Sequence, residues 1–275
     1  MNDRNMREYS IQTWVEGQMM RGRYIFTKQD LTALQMYHNP DSLAKALYRL
    51  QEKGVMMSPW QNFYVAIPME YRLKGEVPPS FYIDDLMRYA GRDYYVSLLT
   101  AAALNGAGHQ RPMVFNVTIS GEQVASSVKN GTLLDFNVRQ TFPIGYANKV
   151  KVQTGYMNVS SPELTALDLV DHEEKVGGLS RVAEVLVELS EVMRWDESKL
   201  PLLNSFSAPV VQRLGYLLDA IDEQETADDF MMLARRAGKV VRKVRLKQSM
   251  GVSDDTIVDK KWKILVNEKI EVDEI

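Results

Sequence analysis

The sequence contains no cysteine. That absence excludes a disulfide framework, a thiolate nucleophile, an iron–sulfur cluster and any zinc site built on Cys. It also fits a reducing compartment, so a cytoplasmic location is the expectation. Long apolar runs are missing as well. The richest stretch, Tyr94 to Leu104, is broken by Ser97 and Thr100 and falls short of the ~18 residues that a membrane span requires. The amino-terminal residues Met1 to Glu8 mix charges and lack the apolar core of a signal peptide. Histidine is scarce: His38, His109 and His172 lie far apart, each without a second ligand at metal-binding spacing. Neither a metal nor a cofactor is expected.

Catalytic signatures are absent in the same way. Asn105-Gly106-Ala107-Gly108 follows a predicted helix rather than a strand, so it reads as a helix stop and not as a phosphate cradle. No nucleophile elbow, Walker loop or kinase signature occurs. Asp171-His172-Glu173-Glu174 groups titratable side chains, but consecutive residues point in different directions at the end of a helix. The sequence therefore reads as a binding protein rather than an enzyme, with no catalytic residue assigned.

What is present is an ordinary globular composition over 275 residues, 45% hydrophobic and 25% charged, with 33 basic against 36 acidic side chains. That length suggests two domains. The charge is unevenly divided, since residues 1–75 hold ten basic and seven acidic side chains while the remainder is net acidic. Lys74-Gly75-Glu76-Val77-Pro78-Pro79-Ser80 interrupts the periodic pattern. The expected organisation is a domain over 1–74, a linker over 75–80 and a larger domain over 81–275.

In the first domain, Tyr9, Ile11, Trp14, Val15 and Met19 give a helical stripe that closes at Gly22. A second helix should start at Thr27, an N-cap three residues before Asp30, and end near Tyr37. The third opens at Asn39-Pro40-Asp41-Ser42 and stops at Gly54. At about 100° per residue, Leu43, Leu47 and Leu50 fall within about 60° of one another and form its buried stripe. His38, Ser42, Lys45 and Arg49 occupy a sector centred about 140° away by the same arithmetic. Val55 to Met57 and Phe63 to Ile67 read as strands of a hairpin whose turn is Ser58-Pro59-Trp60-Gln61-Asn62. Three helices and then a hairpin is the order of a winged helix-turn-helix. In such a domain the third helix enters a major groove and the hairpin touches backbone. The residues expected at double-stranded DNA are Thr27, His38, Asn39, Ser42, Lys45 and Arg49, with Trp60, Gln61 and Asn62 at the wing. No cation lies between Lys53 and Arg72, so the wing supplies little counterion release. Two or more copies on a repeated site would multiply the phosphate contacts.

The larger part reads as α+β with a helical carboxy-terminal half. Helices are predicted over Ile83 to Tyr89 and Tyr94 to Leu104, and strands over Val114 to Ile119, Leu133 to Val138, Lys149 to Gln153 and Tyr156 to Val159. Arg111-Pro112 introduces the first of these strands. Ser160-Ser161-Pro162-Glu163 is a helix start, read with Ser160 and Glu163 at capping-box spacing. Helices follow at Val182 to Val192, Val210 to Ile221 and Ala227 to Leu246. The last carries Arg235, Arg236, Lys239, Arg242, Lys243, Arg245 and Lys247, read as a solvated basic face that also suits a nucleic acid or an acidic partner. Lys260 to Glu271 closes the chain as a strand or hairpin, with Lys261, Lys263, Glu268 and Glu271 marking an exposed edge.

Several segments together resemble the AbiEi antitoxin family. They are Tyr94-Tyr95-Val96-Ser97-Leu98-Leu99-Thr100-Ala101-Ala102-Ala103-Leu104-Asn105-Gly106 followed by His109-Gln110, the run Val159 to Val170, Gly177 to Leu189, and Arg213-Leu214-Gly215-Tyr216. Phe26 to Asp30, Ser42 to Gly54 and Tyr64 resemble the family's winged-helix head. Asn105 stands where the family often has His, and Gln61-Asn62 replaces a more basic, Gly-containing wing. The resemblance implies an antitoxin of a bacterial abortive-infection, phage-defence system. Such a protein represses its own operon at an inverted-repeat operator and counteracts a nucleotidyltransferase-like toxin, with no stable complex required. Two rival readings remain open: a nucleotide-acting enzyme using carboxylates such as Asp168 and Asp171, and a ligand-sensing repressor unrelated to toxins.

Overall fold

The structure, a computed structural model, describes residues 10–37, 39–108, 113–125, 127–129 and 132–272, with backbone alone at 127–129 and 132. His38 and the segment 109–112, which holds the expected His109-Gln110 motif and the Arg111-Pro112 strand start, lie outside the described residues, as does Tyr9. The chain forms two compact units: residues up to Arg92 together with 125–134 and 151–157, and the remainder from Asp93. Both units mix helices and strands, so the chain is α+β.

In the first unit, α1 (Ile11–Met19) is capped by Ser10, and β1 (Ile25–Thr27) leads into α2 (Lys28–Ala33). Thr27 caps the helix as expected, and with Asp30 it also forms a reciprocal capping box. The helix stops at Ala33, before the expected Tyr37, because Gln35 turns into the left-handed region at φ 53°. Next come α3 (Pro40–Glu52), β2 (Met56–Trp60) and β3 (Phe63–Ala66). The three strands form an antiparallel sheet in the order β1-β3-β2. Ser58, Pro59 and Trp60 belong to a strand, not to the turn. Pro59, which has no N–H to give, sits at a break in register on edge strand β2, and the Ser58 hydroxyl bridges the carbonyls of Trp60 and Phe63. The turn is reduced to Gln61-Asn62, with Asn62 left-handed at φ 61°. Ile11, Val15, Phe26, Leu31, Leu43, Leu47, Leu50, Met56 and Tyr64 pack as one core. Beyond it lies α4 (Ile83–Tyr89), as expected.

The segment Tyr94 to Leu104 corrects the sequence reading. It is not one buried helix but strand β4 (Tyr94–Val96) followed by α5 (Leu98–Leu104). Leu98 makes the sharp turn between them at φ 50°, a left-handed conformation unusual for a branched side chain. β4 lies in a six-stranded sheet ordered β6-β7-β5-β4-β9-β8, made with β5 (Val114–Ile119), β6 (Ser127–Lys129), β7 (Thr132–Val138), β8 (Ala147–Val152) and β9 (Gly155–Ser160). It is antiparallel to β5 and parallel to β9. Where β4 ends, Thr100 takes its place against β5, accepting from the Asn116 N–H and donating to the Val114 carbonyl.

α6 (Pro162–Asp171) begins at Ser161, whose hydroxyl accepts from the Leu164 N–H. Ser160 is not the cap, and Glu163 is not a capping-box partner. The Ser160 hydroxyl is buried against that of Thr165, and the buried Glu163 carboxylate accepts from the Arg194 N–H. α7 (Leu179–Ser190), α8 (Leu200–Asn204), α9 (Ala208–Ala220) and α10 (Gln224–Arg236) follow. Their apolar faces meet around Leu167, Leu186, Leu214, Leu218, Phe230 and Trp262.

The predicted basic helix running to Leu246 ends ten residues earlier in the chain, at Arg236. Gly238, at φ 64°, breaks it. Arg242, Lys243, Arg245 and Lys247 therefore lie on a loop and on β10 (Val244–Arg245), not on a helical face. β11 (Ile257–Asp259) and β12 (Ile264–Val266) complete a small sheet ordered β10-β12-β11. β12 is its central strand, which overturns the expected exposed edge. Lys261 is paired to Asp219 and Asp228, and the Lys263 ammonium donates to the Val241 carbonyl.

Candidate nucleic-acid interface

α3 owes its start to Asn39, whose side-chain oxygen accepts from the Asp41 N–H, and to Pro40 in the first turn. Its three leucines are buried as their spacing requires. The opposite face carries Ser42, Lys45, Tyr48 and Arg49, all exposed to solvent. Neither Lys45 nor Arg49 forms an ion pair with a described residue, so each retains its full donor set for an external acceptor. Tyr48 is 62% exposed, unusual for so large a ring. It was absent from the expected set, although its position three residues after Lys45 places it on the same face.

The other expected residues divide by how freely they can act. The Thr27 hydroxyl is committed to the α2 cap, donating to and accepting from Asp30 at 2.7 and 3.1 Å. At the hairpin tip Gln61 is exposed, while Trp60 and Asn62 are half-buried. The Asn62 carbonyl accepts from the Lys28 N–H at 2.8 Å, which ties the hairpin tip to the start of α2. Lys28 and Lys53, both exposed and unpaired among the described residues, are further cations of this unit.

The carboxylates expected in the nucleotide-enzyme reading are differently employed. Asp168 is fully buried and Asp171 exposed, and one guanidinium, Arg139, pairs with both. Arg139 also lies 3.7 Å over the Phe206 ring. Burial pushes the Asp168 carboxyl above its ordinary range, against the opposing pull of Arg139. The Tyr95 phenol is raised by burial and by the neighbouring Asp168 charge. Among the described residues no group of three or more His, Cys, Asp or Glu could hold a metal ion, and no helix is long and apolar enough to cross a membrane.

The central motif instead holds structure together. Ser97 and Thr118 hydroxyls meet at 2.9 Å in the core. The Asn105 amide donates to the Ser160 carbonyl at 3.0 Å, joining the end of α5 to the entrance of α6.

No curated protein matches the sequence. The crystal structure of the RV2827C protein from Mycobacterium tuberculosis is similar in fold, with a TM-score of 0.63 at 18% identity, over 91% of this chain and 88% of that one. Residues 95–220, from β4 to the end of α9, match the AbiEi antitoxin C-terminal domain. The chain thus carries an AbiEi-type antitoxin domain over these residues.

Proposed function

We propose that this antitoxin binds double-stranded DNA through residues 1–74, acting as a winged helix-turn-helix that represses its own toxin–antitoxin operon. The larger domain, 81–275, counteracts a nucleotidyltransferase-like toxin. The observation that carries the DNA reading is α3, buried along Leu43, Leu47 and Leu50 and open to solvent along Ser42, Lys45 and Arg49. The element order α1-β1-α2-α3-β2-β3 supports it, because it sets a hairpin after an exposed amphipathic helix. A helix of 13 residues is about 20 Å long and fits a major groove about 12 Å wide. In this reading Lys45 and Arg49 take phosphate or guanine, while Ser42 and the free amide N–H groups of Asn39 face base edges. His38, next to Asn39 in the sequence, belongs to the same proposed contact set. Thr27 fixes α2 through its cap, and Trp60, Gln61 and Asn62 contribute stacking and amide contacts at the wing. With so few cations, one copy binds modestly, and an inverted-repeat operator occupied by more than one copy supplies the rest.

The test is a gel-shift series across salt concentrations with the promoter of the operon. Replacing Lys45 and Arg49 by Ala should weaken binding and lower the salt slope by about 0.9 for each phosphate that is no longer neutralised. Unchanged affinity and slope would remove α3 as the reading helix.

A further inference from the structure

The basic segment after α10 builds a feature that neither DNA reading nor toxin neutralisation uses. Arg213 on α9 and Arg242, Lys243 and Arg245 line one cavity of about 420 Å³, and no Asp or Glu lines it. Arg213 is 9% exposed, and its Nε donates to the Arg245 carbonyl at 3.0 Å. It forms no ion pair with a described residue. The nearest acids are already engaged: Glu173 pairs with Lys247 and Asp171 with Arg139. Burial pushes the Arg213 guanidinium below its ordinary range, Glu173 and Asp171 oppose this, and Arg245 adds to it. A nearly buried, unpaired cation beside three further cations is an arrangement that an anion would relieve.

Apart from Gln248, the remaining wall is apolar. Pro209, Val252 and Leu265 share the cavity, and Val252 is 51% exposed. The volume lies within the roughly 300–1,000 Å³ typical of small-molecule sites. Duplex DNA presents its phosphates on a convex surface, which suits cations standing proud of the protein. Arg213 is recessed, within reach of a terminal phosphate.

We propose that this cavity binds a nucleoside phosphate, with its phosphates on Arg213, Arg242, Lys243 and Arg245 and its base against Pro209, Val252 and Leu265. The inference is independent of the α3 assignment and survives its failure.

Equilibrium dialysis of the full chain with ATP tests it, with adenosine, tripolyphosphate and a short DNA duplex as competitors. ATP should bind saturably. Arg242→Ala with Lys243→Ala removes two exposed side chains, so the variant folds, and it should weaken ATP at least about tenfold. Lys260→Ala, the same kind of charge loss outside the cavity, should not. Arg213→Met should weaken ATP comparably, checked against an unchanged melting profile. Adenosine and tripolyphosphate should each compete more weakly than ATP. No saturable ATP binding, equal binding by the double variant, or adenosine or tripolyphosphate matching ATP would each overturn the proposal. Displacement of ATP by the duplex at lower concentration than by ATP itself would overturn it in favour of a nucleic-acid backbone.

Discussion

Gly215 offers a test in which two physical effects predict opposite signs. It sits in the middle of α9 with ordinary helical backbone, where replacing Gly by Ala should stabilise by about 0.8–1 kcal/mol through helix propensity alone. The packing says otherwise. A Cβ at this position would lie 2.3 Å from three ring carbons of Trp262, whereas non-bonded carbons rest at roughly 3.5–4.0 Å. More than about 1 Å of movement is needed, and Trp262 has little freedom to give it. The indole is fully buried. Its N–H donates to Asp219, one turn along the same helix, at 2.6 Å, its backbone N–H donates to Asp259, and its carbonyl accepts from Gln212. Overpacking of this kind costs typically about 1–3 kcal/mol, and loss of the indole hydrogen bond to a carboxylate adds about 1.5–3. Against the propensity gain, Gly215→Ala should destabilise by about 3 kcal/mol, lowering Tm by roughly 6–12 °C in a unit of this size. Calorimetric melting of the variant reads this directly. In a Trp262→Leu background the same substitution should become near neutral or stabilising, a coupling of about 2 kcal/mol or more. A wild-type-background Gly215→Ala protein that melts at or above the parent temperature would refute the argument, since helix and indole would then part without cost.

Asn105→Asp exchanges a donor for an acceptor facing the Ser160 carbonyl, and should destabilise by about 1–3 kcal/mol in urea unfolding; an unchanged midpoint would show that the α5–α6 link carries no weight. Burial holds the phenols of Tyr82 and Tyr95 above the ordinary tyrosine value of 10.0. Above that pH the unfolded chain has lost protons that the native chain keeps, so stability is intact below pH 10 and falls as pH rises further. Absorbance at 295 nm should therefore show two of the 13 tyrosines ionising only together with loss of circular dichroism, and full ionisation of a still-folded protein would contradict it.

Local chemistry was legible where it was written in adjacent residues. The Thr27 cap, the Asn39-Pro40 start and the leucine spacing of α3 each needed only a few positions, and each formed as read. Tyr94 to Leu104 was misread because both its halves are buried, so apolar character carries no period that separates strand from helix. The cue lay in composition: two tyrosines and a valine before an alanine-rich run. The charge spacing beyond Arg236 continued a helical pattern, but Gly238 ended the helix regardless. At the candidate interface, exposure of Ser42, Lys45 and Arg49 followed from the helix period, while the engagement of the Thr27 hydroxyl followed from its own cap. The cationic cavity had no signature of its own, because Arg213 and Arg242 are brought together only by the packing of β10 against α9.

That packing also bears on where the antitoxin domain physically ends. The family match stops at residue 220, yet α9 does not complete its own hydrogen bonding within that limit. The fully buried amide of Gln212 donates to the carbonyls of Arg242 and Trp262, the Arg213 Nε to that of Arg245, and Asp219 accepts from both Lys261 and the Trp262 indole. Buried donors without acceptors each cost about 1–3 kcal/mol, and the Gly215 notch would be left facing water. Val244, Leu246, Trp262 and Ile264 are thus part of the same core as α9. A ligand held by Arg213, Arg242 and Arg245 would act on α9 and β10 at once, which gives the cavity a direct mechanical hold on the domain that defines the family.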